Sequence, residues 1–317
     1  MELLILAHAP TRGLEVGFLP AAAGLQQKVT ILTDCVGEHI ARAGESPFYD
    51  QCELAECDVS NPLAVARFVA VHNKRVAGVL AADAALHASA AVCAAYFGLP
   101  GAAWRNAVLH DQRLHAHRPF QVRRRIVDCA QPAGELAPDW FPATVQPLEG
   151  GAASGGAIVR SPAELERRLA DLQFGYALLE QYRDDEEVYA LDALATPQGF
   201  AILGGSRIAF DRDAVRTKRV QSFMPRPPRC EELLSMLLSH ELGHGRHHIE
   251  YAVSGAGLRI REIHNGLHDD ESEFALDDQL DGELFEEVVK ASLAMPGRLL
   301  RLRQADTPQP AALGVAA

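Results

Sequence analysis

The sequence predicts an α/β chain that passes to α+β in its C-terminal half, with an open parallel sheet first and a larger antiparallel sheet last. Three observations carry this. Short apolar runs alternate with helical periodicity over roughly the first hundred residues. A glycine-rich hairpin, FPATVQPLEGGAASGGAIV, follows near the middle of the chain. Long strand-like stretches, GFAILGGSRIAF and HHIEYAVSGAGLRIREIH among them, fill the last third.

At 317 residues and 48% hydrophobic, the chain is long enough for two or three packed units with real cores. The runs Glu2 to Leu6, Lys28 to Leu32 and Val76 to Ala81 read as strands separated by helices. Such alternation implies a parallel sheet with right-handed crossovers, so residues 1–103 read as one open α/β unit. One helix starts near Asn61 with Ser60 as its cap, and the next runs through ALHASAAVCAAYFG to Gly98. No G-x-G-x-x-G follows the first strand, which weighs against a dinucleotide fold.

From Trp104 the texture changes. A basic stretch, HDQRLHAHRPFQVRRR, leads into loop signals, the strand FPATVQP and the glycine-rich hairpin. SPAELERRLADL is an amphipathic helix with Ser161 as cap, Pro162 at its first position and Glu164 completing a capping box. We place a small unit with a glycine-rich flap at 104–176, a larger unit at 177–303 and a flexible tail at 304–317. Within the larger unit ALLEQY, EVYALDALA and GFAILGGSRIAF read as strands, and CEELLSMLLSHELG as a helix ended by glycine. HHIEYAVSGAGLRIREIH reads as a hairpin around SGAG.

Composition narrows the function classes. No apolar run of eighteen residues and no signal-peptide pattern occur, so a soluble, cytoplasmic protein without a membrane partner is expected. Six cysteines with no C-x-x-C pair argue for reduced thiols rather than a zinc ribbon or disulfide framework. A formal charge of −12 weighs against a nucleic-acid partner and favours small-molecule substrates.

Three segments carry the chemistry. The backbone N–H groups of the GGAASGG hairpin can close over phosphate oxygens, although no Walker lysine follows. ALLEQYRDDEEVYALDAL would deliver Glu180, Gln181 and Tyr182 to a sheet edge and Glu187 to the next strand; its alternative is a solvated acidic loop. Glu250 and Glu262 lie on adjacent strands of the last hairpin, where facing carboxylates repel unless a cation sits between them. A competing motif, His240-Glu241-Leu242-Gly243-His244, matches the zinc-protease H-E-x-x-H, which needs a continuous helix; Gly243 and Gly245 point to a helix end instead. The acidic run Asp269 to Glu287 reads as a solvated loop and helix.

The order and spacing of these parts, after an α/β unit ending in GLPG, resemble the ATP-grasp superfamily, in particular its carboxylate–amine ligases and D-alanine–D-alanine ligase relatives. The resemblance implies the ATP-grasp fold and an ATP-dependent joining of a carboxylate to an amine through an acyl phosphate. It implies Ser154, Gly155 and Gly156 as phosphate flap, Glu180 as adenine-amine contact, Tyr182 as backbone contact and Glu187 as ribose contact. Glu250, Glu262 and His264 become the ligands of Mg²⁺, or of Mn²⁺, while Arg216, Lys218 and Arg219 occupy the segment approaching the γ-phosphate. A homodimer through the first unit is a further expectation.

The departures are specific. Two lysines of the pattern are Gln112 and Gln146 here, and Glu-Ile-Asn-Pro-Arg is Glu262-Ile263-His264-Asn265-Gly266, so a substrate-carboxylate arginine is missing. Glutamine donates a hydrogen bond to phosphate but neutralises no charge, and each lost charged contact costs ~1.5–3 kcal/mol. Arg113, Arg118 and the run Arg123 to Arg125 are candidate compensating cations. Two readings follow: a ligase making a peptide-like or siderophore-like small metabolite, or an ATP-grasp-fold protein that has lost catalysis and serves as a binding or scaffold partner.

Overall fold

The computed structural model describes residues 1–44, 46–111, 123–130, 136–147, 157–172, 175–183, 185–196, 199–211, 218–238, 242–255, 257–267 and 270–297. Four parallel strands open the chain: β1 (Glu2–Leu6), β2 (Val29–Thr33), β3 (Cys52–Glu56) and β4 (Val76–Ala81), in the order β3-β2-β1-β4. The helices between and after them are α1 (Leu19–Gly24), α2 (Val36–Ala43), α3 (Pro62–Val71) and α4 (His87–Tyr96). β1 and β2 are buried at every residue, as strands covered on both faces must be, and this is why they read as continuous apolar runs. β3 escaped that reading because it is an edge strand, with Glu53 and Glu56 exposed among half-buried neighbours. The cap of α3 is Asn61 rather than Ser60: its side chain accepts the Leu63 N–H at 3.1 Å, and Pro62 takes the first helical position.

A second sheet follows α5 (Trp104–Asp111). It comprises β5 (Arg124–Asp128), β6 (Ala143–Pro147), β7 (Ala157–Val159) and, after α6 (Pro162–Leu172), β8 (Tyr176–Gln181), ordered β5-β8-β6-β7 with every pair antiparallel. β5 emerges from the basic stretch, where charge hid a strand that buries only Val127. β8, most of which falls in the larger unit expected from 177, takes its hydrogen bonds from β5 and β6 of this smaller sheet. One face of this sheet packs Ala143, Val145, Val159, Ala177 and Leu179 against Leu165 and Leu169 of α6. The Ser161 hydroxyl accepts the Glu164 N–H at 3.3 Å, and the Glu164 carboxylate accepts the Arg160 N–H at 2.8 Å, a capping box offset by one residue.

The third sheet is built from β9 (Glu187–Thr196), β10 (Gly199–Asp211), β11 (Lys218–Met224), β12 (Gly245–Ser254) and β13 (Gly257–Asn265), ordered β11-β10-β9-β12-β13 and antiparallel throughout. Between β11 and β12 lies α7 (Cys230–Leu237), which sets Leu233 and Leu237 against Leu191, Ile249, Tyr251 and Ile263. α7 ends at Leu237, short of the glycine expected to stop it. Leu242 and His244 instead bond to the segment before α5, through Ala103 N–H to Leu242 O at 2.9 Å and His244 N–H to Gly101 O at 2.8 Å. Gly243 there takes φ +76, and an added Cβ would lie 2.4 Å from the Ala103 nitrogen. The C-terminal half of H-E-x-x-H is therefore non-helical, and the continuous helix that a zinc-protease motif requires is absent from it.

The acidic run is the clearest correction. It forms α8 (Asp270–Gln279) and α9 (Leu284–Ser292), and α9 is buried. Leu284, Phe285, Val288 and Val289 share one core with Leu3, Ile5 and Phe18 of the first unit and Leu194 and Leu203 of the third sheet. Charge alternation concealed that apolar stripe. Glu287, 1% exposed, is tolerated because Lys290 reaches it at 2.6 Å from the next turn. The tail 304–317 lies outside the described residues. No helix among the described residues is long and apolar enough to cross a membrane.

Candidate functional site

Alternation along a strand sends every second residue to one face. In the small sheet the face away from α6 carries Arg124, Ile126, Thr144, Gln146, Ile158, Leu178 and Glu180, with Arg124, Glu180 and Thr144 in one row across three strands. In the large sheet the face away from α7 carries Ala190, Asp192, His248, Glu250, Glu262 and His264. The two faces meet at Glu180. Its carboxylate, on a residue only 4% exposed, lies 2.5 Å from Arg124 Nη2 and 3.3 Å from Arg261 Nη2. Arg124 Nη2 also donates to the Arg261 carbonyl at 3.2 Å, tying β5 to β13. Burial lowers the pKa of Arg124, opposed by the Glu180 and Glu262 charges. At Arg261 burial works the same way, but Glu180, Glu250, Glu186 and Glu262 outweigh it and raise the pKa.

Arg261 reaches this place through a β-bulge. Glu250 pairs with Glu262 while the next residue, Tyr251, pairs with Ile260, so Arg261 is the extra residue on β13. Ile260 and Ile263 can then both enter the core under α7 while Arg261 and Glu262 turn to the other side.

Further along the same face runs a chain of alternating charges. His264 Nε2 is 3.2 Å from Glu262 Oε1, and His248 Nε2 is 3.9 Å from Glu250 Oε1. His248 Nδ1 donates to Asp192 Oδ1 at 2.7 Å, and Arg246 donates to the same oxygen at 2.8 Å and to Glu273 Oε1 at 2.8 Å. Burial opposes a charge on His248, but the Asp192 carboxylate prevails and holds its pKa at about 9, so this imidazole is a cation at neutral pH. His247, facing the other way, donates no such charge: burial pushes it down to about 4.

Each residue singled out by the sequence has a definite place or falls outside the described residues. Gln112, Ser154, Gly155, Gly156 and Arg216 fall outside, as do Arg113 and Arg118. Gln146 is half-buried on β6, opposite Leu178. Tyr182 follows β8, and its N–H donates to Pro142 O at 2.8 Å. Glu187 is exposed at the start of β9, accepting from Tyr189 Oη at 2.9 Å and Arg207 Nη2 at 2.7 Å. Lys218 and Arg219 begin β11, paired with Asp211 and Phe210. Glu250 and Glu262 are direct cross-strand partners, and His264 stands one pair further on, opposite His248.

The metal expectation can be tested on these donors. Glu250 and Glu262 offer hard oxygen ligands, but the third group, His264, offers nitrogen, and Arg261 enters the same neighbourhood with a fixed positive charge. Among the described residues no group of three or more His, Cys, Asp or Glu side chains is placed to hold a metal ion. The set as arranged does not fit a magnesium ion, and no step is derived through one.

The missing arginine also has a structural reason. Gly266 takes φ +79, and a Cβ there would lie 2.1 Å from the His87 ring, which occupies the space and donates from Nε2 to Leu267 O at 2.8 Å. Burial holds His87 at about 4, hence neutral. His87, Arg246 and His244 line a cavity of about 70 Å³ between α4 and the start of β12. Arg246 Nη1 donates to the Gly266 carbonyl at 2.8 Å. Sequence reasoning missed Asp192, Arg246, His248 and Arg261. Only Asp192 left a signal, a lone carboxylate inside the apolar run YALDALA. It also missed His8, Asp34 and Asp83, which gather where β1, β2 and β4 end: His8 Nδ1 is 2.9 Å from Asp34 Oδ1 and the His8 N–H donates to Asp83 at 2.7 Å.

An open parallel sheet, a small antiparallel sheet backed by one helix, and a larger antiparallel sheet whose charged face meets it define a class: the chain has the ATP-grasp fold. Solved structures of like architecture include a carboxyaminoimidazole ribonucleotide synthase from Aspergillus clavatus complexed with ATP, with TM-score 0.68 and 14% identity, covering 96% of this chain and 80% of that one. An L-amino acid ligase from Bacillus licheniformis aligns with TM-score 0.66 and 13% identity, over 92% of this chain and 74% of that one. An N5-carboxyaminoimidazole synthetase from Staphylococcus aureus gives TM-score 0.66 and 12% identity, over 95% and 80%. No family model and no curated protein matches the sequence.

Proposed function

We propose that the protein is an ATP-dependent ligase joining a carboxylate to an amine, with the nucleotide held between the charged faces of the two antiparallel sheets. The observation that carries this is the convergence of Glu180 from one sheet with Arg261, Glu250 and Glu262 from the other. The likeness in fold to an amino acid ligase and to a synthase complexed with ATP supports the reading. A carboxylate oxygen of the acid would attack the terminal phosphorus, ADP would leave, and an amine would then displace phosphate from the acyl group. The protein's part is to position the reactants and to set charges where negative charge develops. Lys218 and Arg219, with Arg216, are the proposed contacts to the transferred phosphoryl group; Ser154, Gly155 and Gly156 are the proposed flap, and Gln112 and Gln146 uncharged donors to phosphate. Glu180, Tyr182 and Glu187 are the proposed contacts to adenine and ribose.

The acid and amine of this reading are small and amino-acid-like, in the making of a peptide-like or siderophore-like metabolite. A screen of carboxylate and amine pairs for ADP release tests it, with substrate-dependent release that disappears in Glu262→Ala as the expected result. Repeating the active pair with Mg²⁺, with Mn²⁺ and with EDTA tests the metal. A second reading is favoured by the self-neutralised charges around Glu180 and by Gln146: an ATP-grasp-fold binding partner without turnover. Nucleotide binding by calorimetry with no ADP release from any pair would select it, and no nucleotide binding at millimolar ATP would end the ligase reading.

A further inference from the structure

Resting on the nucleotide reading above, we propose that Arg124 and Arg261 are the polyphosphate-contacting cations of this site, and that Glu180 is the counter-ion on which they rest until a nucleoside triphosphate displaces it. Base and phosphate recognition are then coupled by an exchange of partners at one carboxylate.

Four observations lead there. First, placement: Arg124 stands on the same face of the small sheet as Gln146, one row along and two strands away, so the face that has a glutamine on β6 carries its cation on β5. Two strand spacings are about 10 Å, a gap that a long side chain and a phosphate chain together span. Second, the bulge: the extra residue on β13 interrupts ladder pairing, and what that interruption achieves is to aim one guanidinium at Glu180 while both flanking isoleucines stay in the core. Third, stoichiometry: two guanidiniums offer ten N–H donors, more than the Glu180 carboxylate and the Arg261 carbonyl can accept together, with Glu250, Glu186 and Glu262 acting on Arg261 through their charge. Arg124 Nε is buried with no hydrogen-bond partner among the described residues, so donor capacity is in excess here. Guanidinium forks match phosphate oxygens as well as they match carboxylates, and one charged pair can replace another without leaving a bare charge behind. Fourth, competition: an adenine amine is a neutral donor and cannot displace a guanidinium 2.5 Å from Glu180 by itself. A ligand that carries phosphates removes the arginines and the carboxylate becomes available to the base in the same event. An isolated base or an isolated polyphosphate would each leave one half of the exchange unsatisfied.

The test uses the full chain and three probes, ATP, inorganic tripolyphosphate and adenosine, titrated by calorimetry against wild type, Glu180→Gln, Arg124→Ala and Arg261→Ala. Circular dichroism and thermal melting establish that each variant is folded. Wild type should bind ATP well above either fragment. Glu180→Gln frees the arginines, so tripolyphosphate binding should tighten about tenfold or more, the equivalent of one charged contact, while the advantage of ATP over tripolyphosphate collapses. Arg124→Ala and Arg261→Ala should each weaken ATP and tripolyphosphate about tenfold or more. If Glu180→Gln does not fold, Glu180→Asp, which shortens the carboxylate, should show the same gain in smaller measure. A folded Glu180→Gln with unchanged or weaker tripolyphosphate binding overturns the exchange, and so does wild-type ATP affinity in both arginine variants. Should wild type bind no ATP while Glu180→Gln gains tripolyphosphate, the nucleotide reading fails and the arginine pair stands as an anion site. If no variant binds either phosphate probe, both fall.

Discussion

The two faces of the large sheet are made by the same strands and could hardly differ more. Toward α7, Leu191, Ala193, Ile249, Tyr251 and Ile263 interlock into an apolar core. Toward the small sheet, Asp192, His248, Glu250, Glu262 and His264 stand between those very residues, and Asp192, His248 and Glu250 are nearly as inaccessible to water as the core. The comparison teaches that burial alone does not mark a core. The α7 face is stabilised by removing apolar area from water and tolerates conservative change, whereas the charged face is tolerable only while every charge keeps its partner.

Removing a partner should therefore have the largest effect. Arg246→Ala removes the buried cation shared by Asp192 and Glu273 and leaves Asp192 to His248, and we expect a loss of about 3–5 kcal/mol in chemical denaturation. A loss under about 1 kcal/mol would mean that this face does not depend on pairing and would dissolve the contrast. On the opposite face Leu191→Ala should cost about 2–4 kcal/mol through the cavity it leaves, with ligand affinity per folded molecule unchanged. A change in affinity there would show that the two faces are not independent.

At the seam between the first unit and this sheet, Gly266→Ala should cost about 1–3 kcal/mol, since it meets both the His87 ring and a positive φ. His87→Ala in that background should recover the steric part and leave the backbone part, read as two separate steps in melting temperature.

Stability should also depend on pH, with one sign for His248 on the charged face and the opposite sign for His247 and His87, which lie off it. His248, held at about 9, contributes stability that is complete below its unfolded value near ~6.5 and fades as pH rises toward 9. His247 and His87, held at about 4, contribute stability that is complete above ~6.5 and fades as pH falls toward 4. Melting temperature should peak between these limbs, and His248→Asn should flatten the alkaline limb while leaving the acid one. An unchanged alkaline limb would show that the Asp192 pairing does not charge this imidazole.

Much of the fold was legible because its signals are local. β1, β2 and β4 are apolar runs, α6 announces itself through Ser161, Pro162 and Glu164, and the β12–β13 hairpin follows from alternation about a glycine turn. The failures were also local in origin. β3 and β5 are half-polar and fall below an apolar-run criterion, and the stripe of α9 is masked by Glu283, Glu286 and Glu287. The site was legible in part: Glu180, Glu250 and Glu262 were singled out and do share one neighbourhood, while Asp192, His248 and Arg246 carried no motif.

By itself, then, the sequence determined the order of elements and which residues of each strand share a face, because periods of 2 and 3.6 are written into the chain one turn at a time. Only the tertiary structure decided which charges meet. Arg124 and Arg261 are 137 residues apart, and they converge on Glu180 because β8 sits beside β5 in one sheet while a single extra residue on β13 turns Arg261 toward it from the other. Register and bulges between distant strands are set by packing of the whole, and a one-residue slip would have sent the same guanidinium into the core.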